Sequence, residues 1–248
     1  MIRVENLHKA FGRQHVLKDF NLEITKGELV VVIGQSGIGK SVFIKHLMTL
    51  LRPDNGRILV DGADIGVLRG RALDQYREKL GVVFQGGALF DSLSVFENVA
   101  FPLRERTKLP RAEIAERVQE KLDQVGLREM GHKYPAEISG GMRKRVSIAR
   151  ALVAQPEIVL LDEPTTGLDP ILCTTIHHLI LDLHQKFQFT GVMVSHEIPD
   201  IFQIANRVAM LHDGGIVEIG SPEAIQSSTN EVVRQFIRGE IEGPIKPT

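Results

Sequence analysis

Short continuous apolar runs alternate along the chain with apolar residues at helical spacing. The runs are ELVVVI (28–33), LGVVF (80–84), EIVLL (157–161), GVMVS (191–195) and, more weakly, RVAML (207–211). Runs of this kind are typical of strands buried on both faces. Helical stripes lie between them, such as Ile176, Ile180 and Leu183. Strands that alternate with helices predict an α/β fold with a mostly parallel sheet covered on both faces.

Other segments carry different patterns. Before residue 65 the chain reads mostly as strands, in IRVENL, VLKDFNLEI and GRILVDGADI. Asp213-Gly214 predicts a late hairpin. Between Phe84 and Glu157 there is no strand pattern, so a helical insertion is expected over about 86–155. Within it, Pro110 is predicted as the first residue of a helix. That helix buries one stripe, formed by Ile114, Val118, Leu122 and Val125.

Composition excludes several classes of protein. The chain has 248 residues, of which 43% are hydrophobic and 25% charged, and a formal net charge of −1. Such a balance does not recruit nucleic acid or anionic lipid. The single cysteine, Cys173, excludes an intramolecular disulfide. The N-terminus shows no signal peptide and no apolar stretch is long enough to span a membrane, so a cytoplasmic protein is expected.

A phosphate-binding loop follows the first buried run. GQSGIGKS fits the pattern G-x-x-x-x-G-K-[ST] between a strand and a helix, which predicts a nucleoside triphosphate site. Its glycines let successive backbone N–H groups face phosphate oxygens. The lysine places a charge on the β- and γ-phosphates, and the serine hydroxyl is a ligand for Mg²⁺. The loop comprises Gly34, Gln35, Ser36, Gly37, Ile38, Gly39, Lys40 and Ser41.

Polar side chains follow three other buried runs. Asp162 and Glu163 end IVLLDE, where Asp162 would support Mg²⁺ and Glu163 would polarise a water for attack on the γ-phosphate. Gln85 and His196 follow LGVVF and GVMVS. A carboxamide can coordinate Mg²⁺ or position water, and an imidazole can donate to the γ-phosphate. The carboxyl ends of parallel strands share one edge, so we expect these groups at a common site.

A second anion-binding pattern opens a helix at ISGGMRKRV (138–146). Helix N-termini present unpaired N–H groups and a positive dipole end. The basic run Arg143-Lys144-Arg145 is predicted to be a solvated helix face.

In this order, GQSGIGKS, Gln85, ISGGM, IVLLDE, GLDP (167–170) and VSHE (194–197) resemble the motifs of an ABC transporter ATPase. The resemblance implies ATP and Mg²⁺ as cofactors and a P-loop NTPase core with an N-terminal antiparallel β subdomain. It implies an ATPase domain over residues 1–228 that contains the helical insertion, then a C-terminal helix and tail over 229–248.

The resemblance also implies roles for individual residues. Phe11 would stack on adenine with Val16 nearby, and Asp169 would link two active sites. The signature residues, Ser139, Gly140 and Gly141, would close on the γ-phosphate held by a second copy in a head-to-tail homodimer. Two positions depart from the family's LSGGQ, namely Ile138 and Met142. Methionine brings no side-chain hydrogen-bond donor there, whereas the backbone donors remain.

A finer resemblance points to the transported substrate. GALFDSLSVFENVAFPLRE (87–105), the SGGM signature and VRQFIRGEIEGPI look like the MlaF group of phospholipid-transport ATPases. This implies an MlaE-like permease, an MCE-domain substrate-binding protein and a small STAS-domain regulator as partners. It also implies a peripheral position on the cytoplasmic face of the inner membrane.

Three other functions stay open. One is an ABC importer ATPase for a small polar solute, another is a non-transport ABC ATPase, and the third is a P-loop kinase. Residues 86–109 are expected to face the permease, with Phe90 and Phe101 among their apolar side chains. The Gly- and Pro-rich tail, from Gly239 to Thr248, is predicted to be extended and to dock on a neighbouring subunit.

Overall fold

The first elements combine an antiparallel sheet with the start of a parallel one. The computed structural model describes residues 1–198 and 200–246. Its first elements are β1 (Ile2–Phe11), β2 (Gln14–Ile24), β3 (Leu29–Ile33), α1 (Lys40–Leu47), β4 (Asn55–Val60), β5 (Ala63–Asp64) and α2 (Gly70–Glu78). Four of these strands form a sheet in the order β2-β1-β4-β5, with antiparallel pairs throughout. The expected antiparallel subdomain is therefore confirmed.

The chain divides into two compact units. The first unit joins Met1–Arg77 to the chain from Thr190 on, and the second is Glu78–Phe189. The second unit contains β6 (Leu80–Val83), α3 (Val95–Arg106), α4 (Arg111–Gln124), α5 (Gly140–Leu152), β7 (Ile158–Asp162) and α6 (Pro170–Phe187). Strands β6 and β7 are parallel. The structure describes every residue between these two strands, and this segment contains only helices and turns.

Helix α4 buries the predicted stripe. Its residues Ile114, Val118 and Leu122 are 7%, 0% and 0% exposed, and Val125 just beyond the helix is 2% exposed. The predicted start of this helix is off by one residue. Pro110 is the N-cap with ψ 148°, an extended conformation, so Arg111 is the first helical residue.

The remaining strands return to the first unit. They are β8 (Thr190–Ser195), β9 (Arg207–His212) and β10 (Gly215–Gly220), followed by α7 (Pro222–Gln226) and α8 (Glu231–Arg238). Strand β3 lies between β8 and β9 and is parallel to both. Strand β10 is antiparallel to β9, which confirms the hairpin at Asp213-Gly214. Parallel strands with intervening helices confirm the α/β class.

The described part of the tail folds back on α8 and buries Ile245, so the prediction of an extended tail is wrong there. The amide of Ile245 donates to Gln235 Oε1 at 2.7 Å, and Gln235 Nε2 donates to the carbonyl oxygen of Ile245 at 3.0 Å. This reciprocal pair holds the chain against α8 and leaves Ile245 only 7% exposed. Tail residues Pro247 and Thr248 lie outside the described residues. Among the described helices, none combines the length and apolar character that a membrane span needs.

Candidate nucleotide site

The phosphate-binding loop joins β3 to α1 within the first unit. Lys40 is the first residue of α1, and its N-cap, Gly39, provides no side-chain cap. The Lys40 side chain folds back over the loop, where Nζ donates to the carbonyl oxygens of Gly34 and Gln35 at 2.8 Å each. Since the first N–H groups of a helix lack internal partners, this arrangement presents backbone donors and an ammonium to an anion.

Two glycines of the loop are required by close backbone approach. A Cβ atom on Gly34, at φ 154°, would lie 2.5 Å from the carbonyl oxygen of Leu211. A Cβ atom on Gly39, at φ 118°, would lie 2.9 Å from Cγ1 of Val16. Val16 in β2 is therefore next to the end of the loop. Phe11, at the end of β1, is 47% exposed, and Nζ of Lys9 lies 5.6 Å from the centroid of its ring.

His196 leaves the sheet beside the loop. In the parallel pair β3 and β8, Ile33 is the register partner of Ser195. The next residues, Gly34 and His196, therefore emerge at the same sheet edge. His196 is exposed at this position.

The second unit brings Gln85 and Glu163 into contact. Val83 of β6 is the register partner of Leu161 of β7, so the carboxyl ends of the two strands lie side by side. Gln85 Nε2 donates to Glu163 Oε2 at 3.0 Å, and Thr166 Oγ1 donates to the same oxygen at 3.1 Å. Asp162, the last residue of β7, is half-buried. A carboxylate held by two donors at a strand end is suited to orient a water molecule.

The signature residues and Asp169 lie side by side in the same unit. Ser139 is the N-cap of α5, and its Oγ accepts from the amide of Met142 at 3.2 Å. A Cβ atom on Gly141 would contact the side chain of Leu172 at 3.4 Å. Asp169 caps α6 by accepting from the amides of Ile171 and Leu172 at 3.1 Å. Ser139 and Asp169 are both exposed, so this surface is open to another molecule.

The prediction that the basic run of α5 is a solvated face is wrong for Lys144, whereas Arg143 is exposed and Arg145 is half-buried. Lys144 is only 7% exposed and donates to the carbonyl oxygen of Gln85. The sequence did contain a signal for this. Ile148 and Ala151 are apolar and lie four and seven positions after Lys144, which places the lysine on an apolar face of the helix, and both are buried in the structure. Thr166, the second donor to Glu163, was also not singled out from the sequence.

A glycine-rich loop between a strand and a helix, with an acidic pair at another strand end, defines a P-loop ATPase. Residues 17–166 match the family described as "ABC transporter". The chain belongs to this family of ATP-binding transporter subunits, and it binds and hydrolyses ATP.

Individual relatives agree with this assignment. The chain is 45% identical to "Probable ribonucleotide transport ATP-binding protein mkl" of Mycobacterium leprae, over 98% of this chain and 70% of that protein. It is 39% identical to "Intermembrane phospholipid transport system ATP-binding protein MlaF" of Haemophilus influenzae, over 99% of this chain and 93% of that protein. A similar solved structure is described as "Dimeric structure of a post-hydrolysis state of the ATP-binding cassette MJ0796 bound to ADP and Pi". The two structures superpose with a TM-score of 0.81 at 33% sequence identity. The superposition covers 90% of this chain and 99% of the solved one.

Proposed function

We propose that this chain hydrolyses ATP to drive a membrane permease that moves phospholipids between membranes. The observation that carries the substrate is the match to MlaF of Haemophilus influenzae, which extends over 99% of this chain and 93% of that protein. The relative named for ribonucleotide transport has a higher sequence identity, 45%, but this chain covers only 70% of that protein.

The loop and strand-end residues would share the work at the nucleotide. Lys40 and the loop amides hold the phosphates, while Glu163 and His196 support attack by water. Mg²⁺ prefers oxygen ligands, and the expected set offers a hydroxyl, a carboxylate and a carboxamide, from Ser41, Asp162 and Gln85. Since Nε2 of Gln85 is engaged by Glu163, its oxygen is the atom left for a cation. The residues therefore fit the ion, which would neutralise charge on the phosphates when bound.

A second copy would complete each site. Ser139, Gly140 and Gly141 would close on the γ-phosphate held by the other copy's loop, and Asp169 would contact the opposite site. Two observations support this arrangement. The signature start of α5 is an exposed helix N-terminus, and the similar solved cassette is described as dimeric.

The permease would contact residues 86–109. Phe90 and Phe101 lie there with ring centroids 4.8 Å apart, and they are 43% and 36% exposed. Exposed aromatic pairs are typical of protein interfaces. The chain would then be peripheral on the cytoplasmic face of the inner membrane, with an MCE-domain protein and a STAS-domain regulator as further partners.

A ribonucleotide is the second candidate substrate, favoured by the 45% identity to the Mycobacterium leprae protein. The two substrates are separated by reconstituting the chain and its permease in proteoliposomes. ATP-dependent movement of a labelled phospholipid, absent with Glu163→Gln, is the expected result. ATP-dependent uptake of a labelled ribonucleotide without lipid movement would overturn the phospholipid proposal.

A further inference from the structure

Every basic side chain of α5 donates a hydrogen bond to a main-chain carbonyl oxygen elsewhere in the second unit. The pairs are Arg143 with Ile138 at 2.8 Å, Lys144 with Gln85, Arg145 with Val125 at 3.3 Å, and Arg150 with Gly87 and Ala88 at 2.8 Å each. Two of these side chains therefore reach the same segment, Gln85–Ala88, which we call the glutamine loop. Lys144 and Arg150 bind it from one helix.

The glutamine loop has a conformation that benefits from such support. Ala88 has φ 46°, in the left-handed region that costs energy for a residue with a Cβ atom. Gly87, at φ 77°, donates to the carbonyl oxygen of Phe84 at 2.8 Å and closes a tight turn. The carbonyl oxygens of Gln85, Gly87 and Ala88 are the ones that accept from α5. The helix thus fixes the main chain on both sides of the turn.

The same loop delivers the Gln85 side chain to Glu163. The hydrogen bond from Nε2 to Oε2 is 3.0 Å long. Glu163 itself has φ 47°, so its backbone is held in an uncommon conformation that surrounding contacts must stabilise. A shift of the Gln85 main chain by a fraction of an ångström would lengthen this contact, because hydrogen bonds weaken quickly with distance and angle.

We propose that Lys144 is a positioning residue for hydrolysis. Lys144 binds the main-chain carbonyl oxygen of Gln85, and this keeps the Gln85 side-chain amide in hydrogen-bond contact with Glu163. Ser139 is the N-cap of α5, so a nucleotide that engages the signature residues would be connected to the hydrolytic carboxylate through Lys144 and Gln85. This inference rests on the hydrolytic role proposed for Glu163.

The test compares Lys144→Met with Arg145→Met in the full-length protein. Methionine keeps much of the buried length but cannot donate. Arg145 lies on the same helix, but its hydrogen bond goes to Val125, outside the glutamine loop. We expect Lys144→Met to lower kcat about tenfold with the KM for ATP within about twofold of wild type. Arg145→Met should retain wild-type kcat.

A double-mutant cycle with Gln85→Ala separates positioning from general stability. Without the Gln85 carboxamide, Lys144→Met should cause no further loss of kcat, whereas a merely structural lysine would still cause its full loss. If Lys144→Met does not fold, Lys144→Gln replaces it in the same cycle. Glutamine is polar, but its side chain is shorter than that of lysine, so its donor does not reach the Gln85 carbonyl oxygen in the same way. Additive losses, or equal kcat values for the Lys144 and Arg145 variants, would overturn the inference. Retained turnover in Glu163→Gln would instead overturn the role of Glu163.

Discussion

The Nζ atom of Lys40 donates a hydrogen bond to the carbonyl oxygen of Gly34, six residues earlier, across 2.8 Å. With a second bond to Gln35, it keeps the lysine of the phosphate-binding loop buried and pointed inward. The ammonium that would meet the β- and γ-phosphates is thus already inside the loop. Preorganisation of this kind lowers the cost of binding an anion.

We expect Lys40→Ala to weaken ATP binding about tenfold to a hundredfold, because a charge-assisted contact to phosphate is lost. Displacement of a fluorescent nucleotide measures the affinity. Lys45→Ala is the matched control, since Lys45 is an exposed lysine on the same helix. Equal affinities for the two variants would remove Lys40 from the phosphate site.

Glu163→Gln is expected to bind ATP as wild type does and to lose turnover by about a hundredfold or more, because the amide cannot polarise water as a carboxylate does. ATP should then hold two copies together, which light scattering detects as a doubled mass. Glu157→Gln is the control, since that carboxylate is about half exposed and pairs with Lys79 on the surface. Unchanged turnover in Glu163→Gln would exclude Glu163 from the catalytic role.

The two tail isoleucines should separate packing from docking. Ile245 is 7% exposed and Ile241 is 87% exposed. Ile245→Ala should lower the free energy of unfolding by about 2 kcal/mol, measured by urea denaturation, because a buried side chain is truncated. Ile241→Ala should leave stability unchanged.

Docking of the tail on a neighbouring subunit predicts a different effect. Ile241→Ala, or truncation after Arg238, should then weaken assembly of the complex, as measured by size-exclusion chromatography. Normal assembly and activity of the truncated protein would contradict docking.

His46 makes stability depend on pH. Burial lowers the pKa of this imidazole below its ordinary value of 6.5. Its Nδ1 lies 2.8 Å from the carbonyl oxygen of Val42, a contact that opposes the shift of the pKa but is outweighed by burial. The folded protein therefore binds fewer protons at His46 than the unfolded chain does. The resulting loss of stability begins as the pH falls through 6.5 and grows until the folded pKa is reached.

Urea denaturation at several pH values tests this dependence. Between pH 7.5 and pH 5.5, wild type should lose more stability than His46→Leu, by at most about 1.4 kcal/mol per pH unit. Parallel curves for the two proteins would show that His46 does not titrate on unfolding in this range.

Much of the fold followed from local patterns. The buried runs became β3, β6, β7, β8 and β9, and the stripe of Ile114, Val118 and Leu122 became the buried face of α4. These predictions succeeded because periodicity reports burial directly. The start of α4 was wrong by one residue, because proline favours both the N-cap conformation seen here and the first helical position.

The sequence by itself determined the α/β class, the phosphate-binding loop and the strand ends that carry Gln85, Asp162, Glu163 and His196. These features depend on neighbours within a few residues, so their chemistry can be read along the chain. Only the tertiary structure decided which distant parts of the chain come into contact. Lys144 meets a carbonyl oxygen 59 residues away, and Ile245 folds back on Gln235. Such contacts depend on which surfaces meet after folding, and neither charge patterning nor Gly and Pro content specifies that.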